Sequence, residues 1–301
     1  MRTKKTRRDF LTSISLVAGA SALLSNSATA RPDVSSNNAR LTVQQVIDLI
    51  VKTIPGAPFE GTVDTIKSGE GQQEVTGIVT TMFATVEVIR KAATLGANFI
   101  IAHEPTFYNH RDETDWLESN PVFQQKKALL DKHKIVVWRF HDYWHMHRPD
   151  GIRTGVLEKL GWEKYMNQSN PSMLEIPATK LSDLIAHVKK SLGVRQVRFI
   201  GDPDQTCSRV GLLPGASGGR SHIQLLGREN PHVLIVGELS EWETAEYVRD
   251  ARSMNIPLSL IVLGHAESED PGMSWLVKWL QPKVPDIKVT HVPSPYPFQE
   301  G

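Results

Sequence analysis

Two rhythms of apolar residues alternate along the chain from residue 42 onward. Val43, Val46, Ile47, Ile50 and Val51 recur three and four apart, predicting a helix capped by Thr42 and ended by Pro55-Gly56. A strand is expected near Thr62 to Ile66. Short apolar runs then follow at Val75 to Val79, at Phe99-Ile100-Ile101-Ala102 and at Ile135 to Phe140. Runs without polar alternation predict strands covered on both faces, as in a parallel sheet flanked by helices. Val86, Ile89 and Ala93 give the first intervening helix, closed by Gly96. Val122 to Lys132 gives the second, and a third runs from Gly151 to Leu160 and stops at Gly161.

The order then repeats. Thr179 opens a helix through Leu181, Leu184, Ile185 and Val188 that ends at Gly193, followed by a strand at Val197 to Ile200. Strands at Val210 to Leu213, Val233 to Val236 and Leu258 to Leu263 alternate with a helix after Gly219 and one over Glu241 to Met254. A last helix is expected near Met273 to Leu280, before a Pro-rich tail. Glu104 lies 27 residues after Gly77, and Glu238 lies 27 after Gly211, which aligns the two glutamates; His141 then falls opposite His265, and His145 opposite Glu269. An internal duplication is the simplest account. The fold class expected is α/β: two duplicated α-β-(β-α)3 units with mixed, mainly parallel sheets, over residues 42–170 and 171–301.

The segment before residue 42 breaks the pattern. Thr6-Arg7-Arg8-Asp9-Phe10-Leu11 is a twin-arginine signature, followed by an apolar run from Ile14 to Leu24 and by Ala28-Thr29-Ala30. The run is too short to span a bilayer. Residues 1–30 therefore read as an export signal, residues 31–41 as a polar linker, and the mature chain as periplasmic or secreted without a stable membrane anchor. Loss of the signal takes away five basic groups and one acidic group, turning a net charge of +1 into −3 over the 301-residue chain. With no basic stripe interleaved with aromatics, nucleic acid is not an expected partner. A lone cysteine, Cys207, excludes an internal disulfide and a Cys-based zinc site.

The chemistry sits just past the strands. His103, Glu104, His145, His265 and Glu269 each follow an apolar run, and in open α/β sheets functional groups gather at the carboxyl ends of strands. His141 and His145 are four apart, as are His265 and Glu269, so a helical turn would place each pair on one face. Mixed imidazole and carboxylate donors suit zinc, iron or manganese, and five of them suffice for two divalent ions with open positions. These five are the expected metal ligands. Glu238 and His141 are the candidates for moving a proton. Gly215, Ser217, Gly218 and Gly219, ahead of a helix, are a weaker candidate for binding an anion through backbone N–H groups.

Ile101-Ala-His-Glu-Pro105, Phe140-His-Asp-Tyr-Trp-His145, Val236-Gly-Glu238 and Gly264-His-x-x-x-Glu269 resemble the Nif-three-like dinuclear-metal-centre family, often labelled GTP cyclohydrolase type 2 homologues. The resemblance covers nearly the whole mature chain. It implies a duplicated α/β fold, two divalent metals between the halves, and a homo-oligomer, commonly a toroidal hexamer. The chain departs from the pattern at His103-Glu104-Pro105, where the family has His-His-Pro, and at His141-Asp142-Tyr143-Trp144-His145, where it has His-Thr-x-x-Asp. Phe83 stands where an Asp is common. Either Glu104 and His145 have exchanged donor types, preserving three imidazoles and two carboxylates, or Asp142 replaces the lost Asp and frees His145. Two functions fit: a metal-dependent hydrolase of a small molecule, using metal-activated water, and a non-catalytic metal-binding or assembly protein.

Overall fold

The computed structural model describes residues 40–298; the expected export signal and all but the last two residues of the expected linker lie outside the described residues. The first sheet carries the strands β1 (Ile66–Ser68), β2 (Ile78–Thr81), β3 (Phe99–Ala102) and β4 (Val136–Arg139). The crossovers are helices α2 (Val86–Thr94) and α3 (Pro121–Lys132), after an opening helix α1 (Val43–Val51). β2, β3 and β4 pair in parallel, with Ile78 beside Phe99 and Phe99 beside Val136, and all their residues are buried. β1 pairs antiparallel to β4. Two more helices leave β4, α4 (Asp142–Met146) and α5 (Gly151–Leu160).

The second sheet repeats the arrangement with β6 (Arg198–Ile200), β7 (Thr206–Leu213), β8 (Val233–Val236) and β9 (Ser259–Val262). Its helices are α6 (Leu181–Leu192), α7 (Gly219–Glu229), α8 (Glu246–Ser253) and α9 (His265–Leu280). The strand order β1-β4-β3-β2 of the first sheet is matched by β6-β9-β8-β7 of the second. The chain is thus a mixed α/β protein with two mostly parallel, duplicated sheets.

Each sheet also carries an extra edge strand, and here the structure differs from the expectation. The eight residues Met173–Lys180 form β5, antiparallel to β7, so Thr179 lies within a strand and Lys180, not Thr179, precedes the helix. The tail yields β10 (Val289–His291), which joins the first sheet in parallel beside β2. The last helix starts eight residues earlier than its apolar pattern suggests, at His265, and runs through Pro271. α9 lies against α5 at Gly155 and Gly272. A Cβ on Gly155 would strike the Pro271 carbonyl, and one on Gly272 would strike the Ile152 backbone. That close approach ties the halves together over one continuous core that includes Trp138, Trp144, Ile152, Met273 and Leu276.

Candidate metal centre

The strand ends put their polar residues where the two halves face one another. His103 and Glu104 follow β3, anchored by backbone hydrogen bonds from their N–H groups to Thr81 and Met82. His141 caps the start of α4 and His145 lies on it, and His265 and Glu269 lie on the first turns of α9. All seven residues singled out for metal or proton chemistry are brought together.

Four imidazoles share one arrangement. The Nδ1 of His103 donates to the Phe140 carbonyl at 3.0 Å, His141 Nδ1 lies 3.0 Å from Asp142, His145 Nδ1 lies 3.1 Å from Asp150, and His265 Nδ1 lies 3.3 Å from Glu238. A histidine held through Nδ1 presents Nε2 as the free donor, the usual disposition of a metal-ligating imidazole. The four Nε2 atoms turn toward two buried carboxylates. His141 and His265 approach Glu104 Oε1 at 3.6 and 3.3 Å. His103 and His265 approach Glu269 Oε2 at 3.7 and 3.2 Å, and His145 lies 4.0 Å from Glu269 Oε1. Donor atoms of His103, His141 and His145 fall within 4.8 Å of one another, as do those of His103, Glu104 and Glu269.

The electrostatics call for a cation. His103 is fully buried, and burial together with the neighbouring His145 and His141 holds it well below the ordinary imidazole value, so it is neutral with a bare lone pair. Its Nε2 and the Glu269 Oε2 are buried without a hydrogen-bond partner. Burial disfavours charge on His265, yet Glu104 and Glu269 push it up to about 10. The two carboxylates thus draw positive charge to the point they face. Burial works against ionisation of Glu104 too, but His265, His141 and Arg139 outweigh it and lower its value. The donor set fits divalent metal on all these counts.

The two candidates in the Asp142 segment differ in their surroundings. Both Asp142 oxygens are engaged, one with His141 and the other with Thr62 and the Val63 N–H at 3.0 and 3.1 Å. His145, by contrast, aims Nε2 inward. Asp142 and Asp150 orient imidazoles, and His145 stands with the candidate ligands.

Three supporting residues escaped the sequence reading. Asp64 accepts hydrogen bonds from the N–H groups of His141, Asp142 and Tyr143 at 2.8, 3.0 and 2.7 Å, fixing the start of α4. Arg139, buried on β4, donates to Glu104 at 3.3 Å and to the carbonyls of His103 and His110. Asp150 caps α5 while holding His145. A carboxylate five residues after a histidine was the available signal for the last.

In the glycine loop, the Gly215 N–H donates to Ser268 Oγ at 2.9 Å, and a Cβ there would collide with the Glu269 carboxylate. Ser217 Oγ donates to the Pro214 carbonyl, Gly218 adopts a positive φ before α7, and Gly219 packs against the Glu243 carboxylate. The role the loop displays is steric: it lets Glu269 come in.

One side of the cluster opens into a cleft of about 1000 Å³ lined by Glu104, His265, Glu238, Phe83, Tyr108 and Lys126, among others.

Known proteins share this fold. The Duf34/NIF3 (NGG1p interacting factor 3) family matches residues 41–297. A relative named "GTP cyclohydrolase 1 type 2 homolog" in Clostridium perfringens is 24% identical over 213 residues, 67% of this chain and 77% of that one. Its namesake in Escherichia coli is 27% identical over 237 residues, 76% and 88% of the two chains. A Bacillus cereus protein related to NIF3 has the same fold, with a TM-score of 0.71 at 15% identity over 86% of this chain and 99% of the other. The chain belongs to the Duf34/NIF3 family.

Proposed function

We propose that this Duf34/NIF3 chain is a dinuclear-metal-dependent hydrolase acting on a small molecule. One observation carries the reading: four imidazoles, each held through Nδ1, turn Nε2 onto two buried carboxylates beside an open cleft. His103, Glu104, His145, His265 and Glu269, joined by His141, are the residues that would hold the metal. Two divalent ions there, zinc, iron or manganese, would supply Lewis acidity and a water acidic near neutral pH.

The chain's own groups do the rest. Arg139 occupies Glu104 Oε2 and leaves Oε1 facing His141 and His265. Glu238 orients His265 from the cleft side. Its side chain is 58% exposed, against 8% for Glu104, so it is the carboxylate placed to take and return a proton. A closed structural site has no need of such a cleft. Phe83 lies edge-on to His265, with ring centres 6.0 Å apart, and gives the mouth an apolar wall. The mature chain works outside the cytoplasm after twin-arginine export, which carries folded proteins with their metal already loaded, and it works as a homo-oligomer.

The test is elemental analysis of the purified chain and of His265→Ala, with a screen of ester, amide, phosphate and cyclic-amidine substrates. Metal in the wild type with turnover lost in the variant is the expected result. Metal retained with no turnover of any class would leave a binding or assembly protein instead.

A further inference from the structure

A second polar group, outside the candidate ligands, lines the same cleft. Lys126, on α3, is only 6% exposed, yet among the described residues no carboxylate closes an ion pair with it. Its Nζ donates to the Thr106 carbonyl at 2.6 Å and lies 5.2 Å from the ring centre of Tyr108 and 5.7 Å from that of Phe107. An ammonium has three donors, and the one hydrogen bond leaves two without an acceptor. Thr106, 1% exposed, has a buried hydroxyl without a partner. Both residues line the cleft. Burial lowers Lys126 to about 8, with Asp112 and Glu87 opposing it from further away. A buried ammonium and a buried hydroxyl, on two residues joined by a hydrogen bond and each short of partners, form a receptor for an anionic oxygen.

We propose that Lys126 and Thr106 bind the carboxylate or phosphate group of the substrate, and that Tyr108 lies along its apolar body. The proposal rests on the hydrolase reading for the word substrate, but the anion site itself does not. Thr106 is two residues from Glu104, which limits the backbone separation to about 7 Å. A molecule with an anionic tail and a scissile bond a few atoms away would reach from Lys126 to the candidate metal centre. The site therefore selects small anionic substrates over neutral ones.

The experiment measures binding of phenyl phosphate and of benzoate to the full-length mature chain, as purified and after chelation, by calorimetry. Phosphate and carboxylate sources are distinguished by which probe binds more tightly. Binding that survives chelation, weakens about tenfold or more in Lys126→Met, and is largely restored in Lys126→Arg is the expected result. Thr106→Val should weaken it by a smaller factor. Metal content measured alongside should be unchanged in Lys126→Met, so loss of the anion site is distinguishable from loss of the metal site. The proposal is overturned if neither probe binds the chelated wild type, or if Lys126→Met, with an unchanged circular dichroism spectrum, binds both as tightly as the wild type does. It is equally overturned if His265→Ala, and not Lys126→Met, abolishes binding.

Discussion

The two halves share a strand order and differ at the mouths of their strands. Glu104 and Glu238 each stand two residues beyond their strands, β3 and β8, but one is buried against Arg139 and the other is exposed in the cleft. Beside them the first half has His103 and the second has Gly237, where a Cβ would strike Ser268 and the Gly215 backbone. At the next strand, His141 is two residues past β4, whereas His265 is three past β9. The pairs His141/His145 and His265/Glu269 are therefore offset by one residue, not opposite each other as the 27-residue spacing suggested. The first half supplies three inward imidazoles. The second supplies one imidazole, one carboxylate and the glycines that make room for it. Duplication provided two scaffolds of one shape, and the site arose from filling them differently.

That division can be broken from the second half first. Glu269→Ala removes its one inner carboxylate, and metal affinity should fall by more than about 100-fold, beyond the range for residues that merely orient ligands, as read by competition with a chromogenic chelator. The donor exchange inside the first half gives the next effect. Glu104→His and His145→Asp should each weaken metal binding, and the double variant should recover at least about tenfold over either alone, because coupled neighbours are not additive. Equal losses that simply sum would sink the exchange. Asp150→Ala, which frees His145 Nδ1, should cost about 10–100-fold in the same assay.

Gly215→Ala asks whether the glycine loop exists to admit Glu269. At φ +69°, with the carboxylate in the way, the variant should lose about 1–3 kcal/mol in urea unfolding. A pH slope of comparable size comes last. Lys126 binds its proton less tightly when folded, near 8, than when unfolded, near 10.5. The unfolded chain thus holds more protons between those values, and the wild type should gain stability as pH rises through that window. Lys126→Met should lose this slope, measurable as urea midpoints at pH 7 and 10.

Much of this was legible because helical and strand periods are local. Phe99–Ala102, Gly151–Leu160 and Val233–Val236 appear where their patterns put them. What stayed hidden depended on distant partners. β5 contains Pro177 and a register shift between Glu175 and Thr179, tolerable on an edge strand but unreadable as an apolar run. β10 is three residues long and pairs with β2 more than two hundred residues away. Pro271 reads as a helix breaker, yet α9 continues through it because α5 packs against that turn. The candidate ligands were visible as residues past strands. Asp64, Arg139 and Asp150 were not, since a buried carboxylate or guanidinium announces itself only through the groups it touches.

β10 also sets an order of events at the ribosome. β2 emerges first, with its outer edge unpaired, and the strand that covers that edge is made more than two hundred residues later. The amino-terminal sheet must wait, one flank exposed, until those residues have been made before it closes. A chain cut just before Val289 would keep every candidate ligand and still present a sticky border to its neighbours.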